Sequence, residues 1–262
     1  MRTPALAATG LTKRYGDRLV LDGASIELAP GEVVAVLGPS GAGKTTLFRC
    51  LTRLAEPDAG EILVDGAPLH ALRGRRLAAA RRNIGLVFQH HNLIHRLSAL
   101  DNVLAGRLGH APLWRVALRA FDRADRQLAL AALDRVGLLD RAGQRADTLS
   151  GGQRQRVAIA RVLAQRSRIV LADEPVASLD AETAQTIMEL LRDIARERGI
   201  AILCSLHQPD LAARYGDRRL RLVGGRLEET APTPSAAADG TGEDVEAFTI
   251  PLQRRGRSFT LR

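Results

Sequence analysis

Aromatic residues are scarce, only 3% of 262, and lysine is scarcer: Lys13 and Lys44 are the only two, every other basic residue being arginine. So few aromatics exclude a stacking platform for single-stranded nucleic acid. The arginines are spread along the chain, so the net charge of +9 reads as a solvated basic surface and predicts no nucleic-acid partner. Cysteine is nearly absent as well. Cys50 and Cys204 lie far apart in apolar segments, which excludes a disulfide framework or a thiolate metal site and predicts reduced packing residues. No run approaches the roughly 18 apolar residues that span a bilayer, and the opening MRTPALAATG is too weakly apolar for a signal peptide. The expected location is the cytoplasm.

What is present is a 45% hydrophobic, 26% charged composition, enough for one large α/β domain. Apolar runs predict strands at LVLDG, ASIELAPGE and VVAVL between 19 and 37, at IVLA (169–172) and at IAILCSL (200–206). Asp180 is a good N-cap for a helix with Ile187, Leu190, Leu191 and Ile194 on one face, stopped by Gly199. The Ala/Leu/Arg-rich stretches ending on Gly137 predict a helical insertion, and RLRLVGGRLEE predicts a hairpin about Gly224-Gly225. The expected division is a domain over 1–229, its helical part at about 90–165, followed by a linker and tail over 230–262 too polar to pack.

The chemistry concentrates in short patterns. Gly38-Pro39-Ser40-Gly41-Ala42-Gly43-Lys44-Thr45, with Thr46 following, joins a buried strand to a helix. Its glycines let successive backbone N–H groups curl toward phosphate oxygens at a helix N-terminus; Lys44 supplies a compact charge for the β- and γ-phosphates, and Thr45 a hydroxyl for magnesium. In a chain that otherwise uses arginine, lysine here suits a point charge rather than a planar fork. Asp173 and Glu174 end the IVLA run; two acids leaving a strand can diverge, Asp173 toward magnesium and Glu174 toward an attacking water. These two patterns together predict a phosphate-loop NTPase.

Leu149-Ser150-Gly151-Gly152-Gln153, followed by the helical RQRVAIARVLA, narrows the class: over about residues 5–228 the chain resembles the ABC ATPase family, whose signature peptide this is. The resemblance implies a mixed sheet core with an antiparallel β subdomain and an inserted helical subdomain. It implies ATP and magnesium as cofactors, and a second copy whose phosphate loop faces Ser150, Gly151 and Gly152. Tyr15 matches the aromatic that stacks on adenine, and Gln89 the glutamine that touches magnesium. Ser178-Leu179-Asp180 matches the loop crossing the dimer interface, and His207 the switch histidine at the γ-phosphate. The implied catalytic set is Glu174, His207 and Lys44.

Within the family, VFQHHNLIHRLSALDNVLAGRLG, LADEPVASLD and LHQPDLAARYGDR look like the ATP-binding subunits of phosphonate importers, where Gln208 and Pro209 intervene between the histidine and the next acid. This implies two transmembrane permease subunits, an extracytoplasmic solute-binding protein, and a place on the cytoplasmic face of the membrane. The competing readings are an importer ATPase for another solute, an ABC ATPase working on nucleic acid or the ribosome, and a nucleotide sensor that does not hydrolyse. One set of motifs and no room for a long coiled coil weigh against the second; Glu174, Gln89 and His207 together weigh against the third. His91 and His95 have helical i, i+4 spacing, but with no third ligand in reach of the pattern no metal beyond magnesium is expected.

Overall fold

The computed structural model describes residues 3–88, 92–110 and 121–230; the tail, Gln89 and His91 lie outside the described residues. Two sheets organise them. The antiparallel sheet has the order β2-β1-β4-β5, from β1 (Leu6–Tyr15), β2 (Arg18–Leu28), β4 (Ala59–Val64) and β5 (Ala67–Pro68). The mixed sheet has the order β10-β9-β3-β8-β7-β6, from β3 (Val33–Leu37), β6 (Ile84–Val87), β7 (Ile169–Ala172), β8 (Ala201–Leu206), β9 (Arg218–Val223) and β10 (Arg226–Glu229). Within it only β10 runs antiparallel to its neighbour.

The strands VVAVL, IVLA and AILCSL are apolar throughout because both faces of this sheet are covered. Alternate residues enter different cores. Val34, Val36, Ile169, Leu171 and Leu203 pack with β1, β2 and α1 (Lys44–Leu51). Val33, Ala35, Val170, Ala172 and Cys204 pack with the helical side. That side comprises α3 (Ala99–Leu104), α4 (Arg123–Arg135), α5 (Gly151–Gln165), α6 (Ala181–Arg198) and α7 (Pro209–Tyr215), while α2 (Gly74–Arg82) precedes β6. Asp180 does cap α6, accepting from the Thr183 N–H at 2.9 Å, and Gly199 closes it in the left-handed region at φ 64°.

The two strand segments expected on either side of Gly23 are one strand. Gly23 takes φ 71°, and β1 meets β2 with register shifts, so a bulge absorbs the glycine and the ladder continues past it. The expected Gly224-Gly225 hairpin forms, both residues at positive φ.

Register decides where the site lies. Leu37 pairs with Leu206 and Ala172 with Cys204, so β3, β7 and β8 end at one edge of the sheet. The segments that leave them are the glycine loop, Asp173-Glu174 and His207. Ligands of open α/β sheets bind outside such carboxyl ends.

Candidate functional site

The glycine loop turns through Gly41 (φ 78°) and Gly43 (φ 104°), conformations that residues with a Cβ rarely adopt. Gly43 is also sterically fixed, since a Cβ there would lie 2.9 Å from Val20 Cγ1. Lys44, only 4% exposed, donates from Nζ to the carbonyl oxygens of Gly38 (2.8 Å) and Pro39 (3.2 Å). A buried ammonium satisfied by its own loop is held where it can exchange carbonyls for phosphate oxygens. Beside it opens a cavity of about 540 Å³ whose walls include Tyr15, Ser40, Gly41, Gly43, Lys44, Thr45, Thr46 and Glu174. Gly38, Pro39 and Ala42 build the loop without lining the cavity. Arg18 and Val20 also line it, and Arg18 donates to the Gly41 carbonyl at 3.2 Å. Neither stood out in the sequence, since both come from the strand that crosses the loop.

The two acids diverge through the backbone. Glu174, two residues past the end of β7, sits at φ 49°, a left-handed conformation rare for a side-chain-bearing residue. Its Oε1 lies 2.6 Å from His207 Nε2 and 3.7 Å from Lys44 Nζ. Asp173 does not line the glycine-loop cavity; with Thr45 and Phe88 it lines a neighbouring small recess, Thr45 being common to both. Ser205, fully buried in β8, ties both: its hydroxyl accepts from the Glu174 N–H (2.8 Å) and donates to Asp173 Oδ1 (2.8 Å). Sequence reasoning missed Ser205. The available signal was a hydroxyl inside an otherwise apolar buried strand, which needs a partner.

Ser150 caps α5 with a complete capping box: its hydroxyl accepts from the Gln153 N–H (3.2 Å) while its own N–H donates to Gln153 Oε1 (2.9 Å). The Gln153 side-chain oxygen is thereby engaged within the chain. Gly151 approaches the Ser178-Leu179-Asp180 turn, a Cβ there lying 3.4 Å from Leu179 Cδ2, and at Gly152 a Cβ would lie 2.5 Å from Thr183 Cγ2. Ser150, Gly152 and Gln153 line a polar cavity of about 310 Å³ with Arg141, Arg156 and Thr183. That cavity and the glycine-loop cavity share no lining residue.

The sequence profile of the ABC transporter family matches residues 21–177. The chain belongs to this family. It is similar to a hypophosphite import ATP-binding protein of Stutzerimonas stutzeri, 50% identical over 96% of this chain and 73% of that protein. It is also similar to a phosphonates import ATP-binding protein of Rhodopseudomonas palustris, 49% identical over 85% of this chain and 82% of the relative. Among solved structures it resembles a dimeric bacterial ABC transporter cassette, with TM-score 0.74 and 35% identity over 85% of this chain and 96% of that one. It resembles the same cassette as a post-hydrolysis dimer bound to ADP and Pi, with TM-score 0.74 and 33% identity over 86% and 97%.

The ABC cassette described here has no helix long and apolar enough to cross a membrane among its described residues. Among these residues no group of three or more His, Cys, Asp and Glu side chains is placed to hold a metal; His91 lies outside them. Thr45 and Asp173, a hydroxyl and a single carboxylate, are the oxygen donors on a small recess otherwise walled by apolar side chains and Arg49. Two oxygen donors of this kind fit magnesium only with waters and phosphate oxygens completing its shell. Gln89 follows β6 by two residues, outside the described ones.

Proposed function

We propose that this cassette is the ATP-hydrolysing subunit of an importer for a phosphorus oxyanion. The observation that carries the hydrolytic reading is one carboxylate oxygen, Glu174 Oε1, held between His207 Nε2 at 2.6 Å and Lys44 Nζ at 3.7 Å at the mouth of a glycine loop. In this reading ATP lies in the 540 Å³ cavity with its base toward Tyr15, and the Gly38–Thr46 segment holds its phosphates. Thr45, Asp173 and Gln89 hold magnesium, which neutralises phosphate charge. Lys44 leaves the loop carbonyls for the β- and γ-phosphates. Glu174 orients and polarises the attacking water, and His207 positions Glu174 and reaches the γ-phosphate.

Ser150, Gly151, Gly152 and Gln153 serve the nucleotide of a second copy, with Ser178-Leu179-Asp180 between the copies. The partners are then that copy, two permease subunits and an extracytoplasmic solute-binding protein, with the cassette on the cytoplasmic face of the membrane. Residues 1–229 form the ATPase domain, those at about 90–165 its helical part, and 230–262 a linker and tail. The two relatives named for hypophosphite and phosphonates support a phosphorus oxyanion as solute.

The test is reconstitution with permease and solute-binding protein in vesicles, measuring ATP turnover with phosphonate, hypophosphite, phosphate and sulfate. Stimulation by a phosphorus oxyanion alone supports the proposal. Turnover stimulated only by sulfate, or unaffected by the Glu174→Gln change, overturns it.

A further inference from the structure

Lys13 is one of two lysines in the chain, and unlike Lys44 it belongs to no nucleotide-binding motif. It stands two residues before Tyr15 on β1, so both side chains leave the same face of the strand. Its ammonium lies over the Tyr15 ring, 5.4 Å from the centroid. Asp58, at the foot of β4, holds it there: Oδ1 accepts from Lys13 Nζ at 2.9 Å, while Oδ2 accepts from the Arg14 N–H at 2.6 Å. The Asp58 N–H in turn donates to the Thr12 carbonyl at 2.8 Å, so the carboxylate is fixed to the strand end from both sides. The hydrogen bond to Asp58 holds the ammonium above the usual lysine range. Tyr15 is 48% exposed and lines the glycine-loop cavity; Lys13 is not among the lining residues. One face of the ring is therefore covered by a cation, and the ring itself reaches the cavity.

We infer that Lys13, held by Asp58, is a positioning residue for the nucleotide base: it sets the plane of the Tyr15 ring and draws its π density away from the cavity. Two physical effects follow. A ring held by a cation on one side loses less freedom when a base stacks on the other. A ring whose electron density is pulled toward a cation also presents an electron-poor face, which favours an electron-rich purine. The inference rests on Tyr15 stacking on adenine. It makes base recognition depend on a residue that touches neither base nor phosphate, and it confines the effect to ligands that have a base.

The experiment compares binding of magnesium-ATP with magnesium-tripolyphosphate, which has the phosphates and no base, by calorimetry on the full chain. The variants are Lys13→Met, Lys13→Arg and Tyr15→Ala. Lys13→Met should weaken ATP about two- to fivefold, the scale of an exposed cation–π contact, with tripolyphosphate unchanged and turnover at saturating ATP preserved. Lys13→Arg should restore ATP affinity, since a guanidinium also sits over a ring and pairs with Asp58. Lys13→Met weakening both ligands alike shows a role only in strand structure and overturns the inference. Lys13→Met matching the unmodified chain, while Tyr15→Ala weakens ATP alone, overturns it and leaves the adenine role of Tyr15 standing. If Tyr15→Ala binds ATP unimpaired, that role fails and the inference with it.

Discussion

His207 Nε2 lies 2.6 Å from Glu174 Oε1, although the two residues are 33 positions apart and leave different strands. A histidine this close to a carboxylate fixes where the carboxylate points, and that direction is toward Lys44. Glu174→Gln retains the shape and removes the charge proposed to polarise water. Turnover should fall about 10²- to 10⁴-fold while ATP affinity changes little. Single-turnover kinetics beside equilibrium ATP binding checks both halves, and loss of both together would assign Glu174 to binding instead.

Ser205→Ala should impair turnover although Ser205 itself lines neither cavity, because its hydroxyl bonds both Glu174 and Asp173. The hydroxyl accepts from the Glu174 N–H at 2.8 Å, at a residue whose backbone is left-handed. Leaving this donor unpaired next to a buried strand costs about 1–3 kcal/mol. The expected result is a lower melting temperature with ATP affinity retained and a reduced rate of the chemical step. A variant as stable and as active as the unmodified chain would show that neighbouring groups satisfy the turn.

Lys44→Arg conserves charge and should nonetheless lose at least about 10²-fold in turnover. Lys44 is 4% exposed and fits its ammonium against the Gly38 and Pro39 carbonyls. A guanidinium is wider and planar, so it displaces the loop that must hold the phosphates. Near-normal ATP turnover in this variant would mean that charge alone suffices there.

Cys50 and Cys204 should be unreactive toward alkylating reagents in the folded chain and reactive after unfolding. Burial removes the thiolate's solvation, pushing Cys50 up to about 11 and Cys204 higher still. At pH 8 only about one Cys50 in a thousand is then thiolate. The folded state keeps this proton after the unfolded chain has released its own. The Cys50 contribution to stability is therefore intact below pH 9 and declines as pH rises toward 11. Mass spectrometry after timed iodoacetamide treatment reads the labelling.

The sheet core was legible because VVAVL, IVLA and AILCSL are continuous apolar runs, and a strand buried on both faces tolerates nothing else. Gly23 misled because a glycine breaks a strand and marks a bulge with the same sequence signal; only the partner strand β1 decides. The residue types at the candidate site were legible as local motifs. Their arrangement was not. The divergence of Asp173 and Glu174 depends on a positive φ and on Ser205, 31 residues past Glu174. Lys13 meets Asp58 across 45 residues of sequence, through a strand pairing no local pattern encodes. Gln153 was read only as part of the signature peptide, and the structure adds that its side-chain oxygen closes the cap of α5.

Assembly is the most consequential prediction. In one chain, Ser150 and Gly152 line one cavity and Lys44 and Glu174 another, with no residue in common. A glycine loop binds phosphates unaided, so the 310 Å³ cavity at the capped start of α5 needs a different reason to be polar and open. A similar cassette is dimeric, and a head-to-tail pair of these chains would bring each α5 N-terminus against the other's nucleotide. The helix start offers N–H groups and a positive dipole end to a γ-phosphate. ATP would then hold the pair together, and hydrolysis would release it. Glu174→Gln, stalled before hydrolysis, should therefore accumulate as a dimer in ATP and magnesium and return to monomer in ADP. Adding Ser150→Arg places a bulky cation where the facing γ-phosphate must enter and also removes the serine cap. A Gly152→Ala change is the second variant: its methyl would lie 2.5 Å from Thr183 Cγ2, so the helix start must shift while the Ser150 hydroxyl is kept. Light scattering with ATP, paired with ATP binding to each variant, separates the outcomes. The double variants should bind ATP and stay monomeric. Dimers in both, or a Glu174→Gln chain that stays monomeric with ATP even beside its permease partners, would show that the site is complete within one copy.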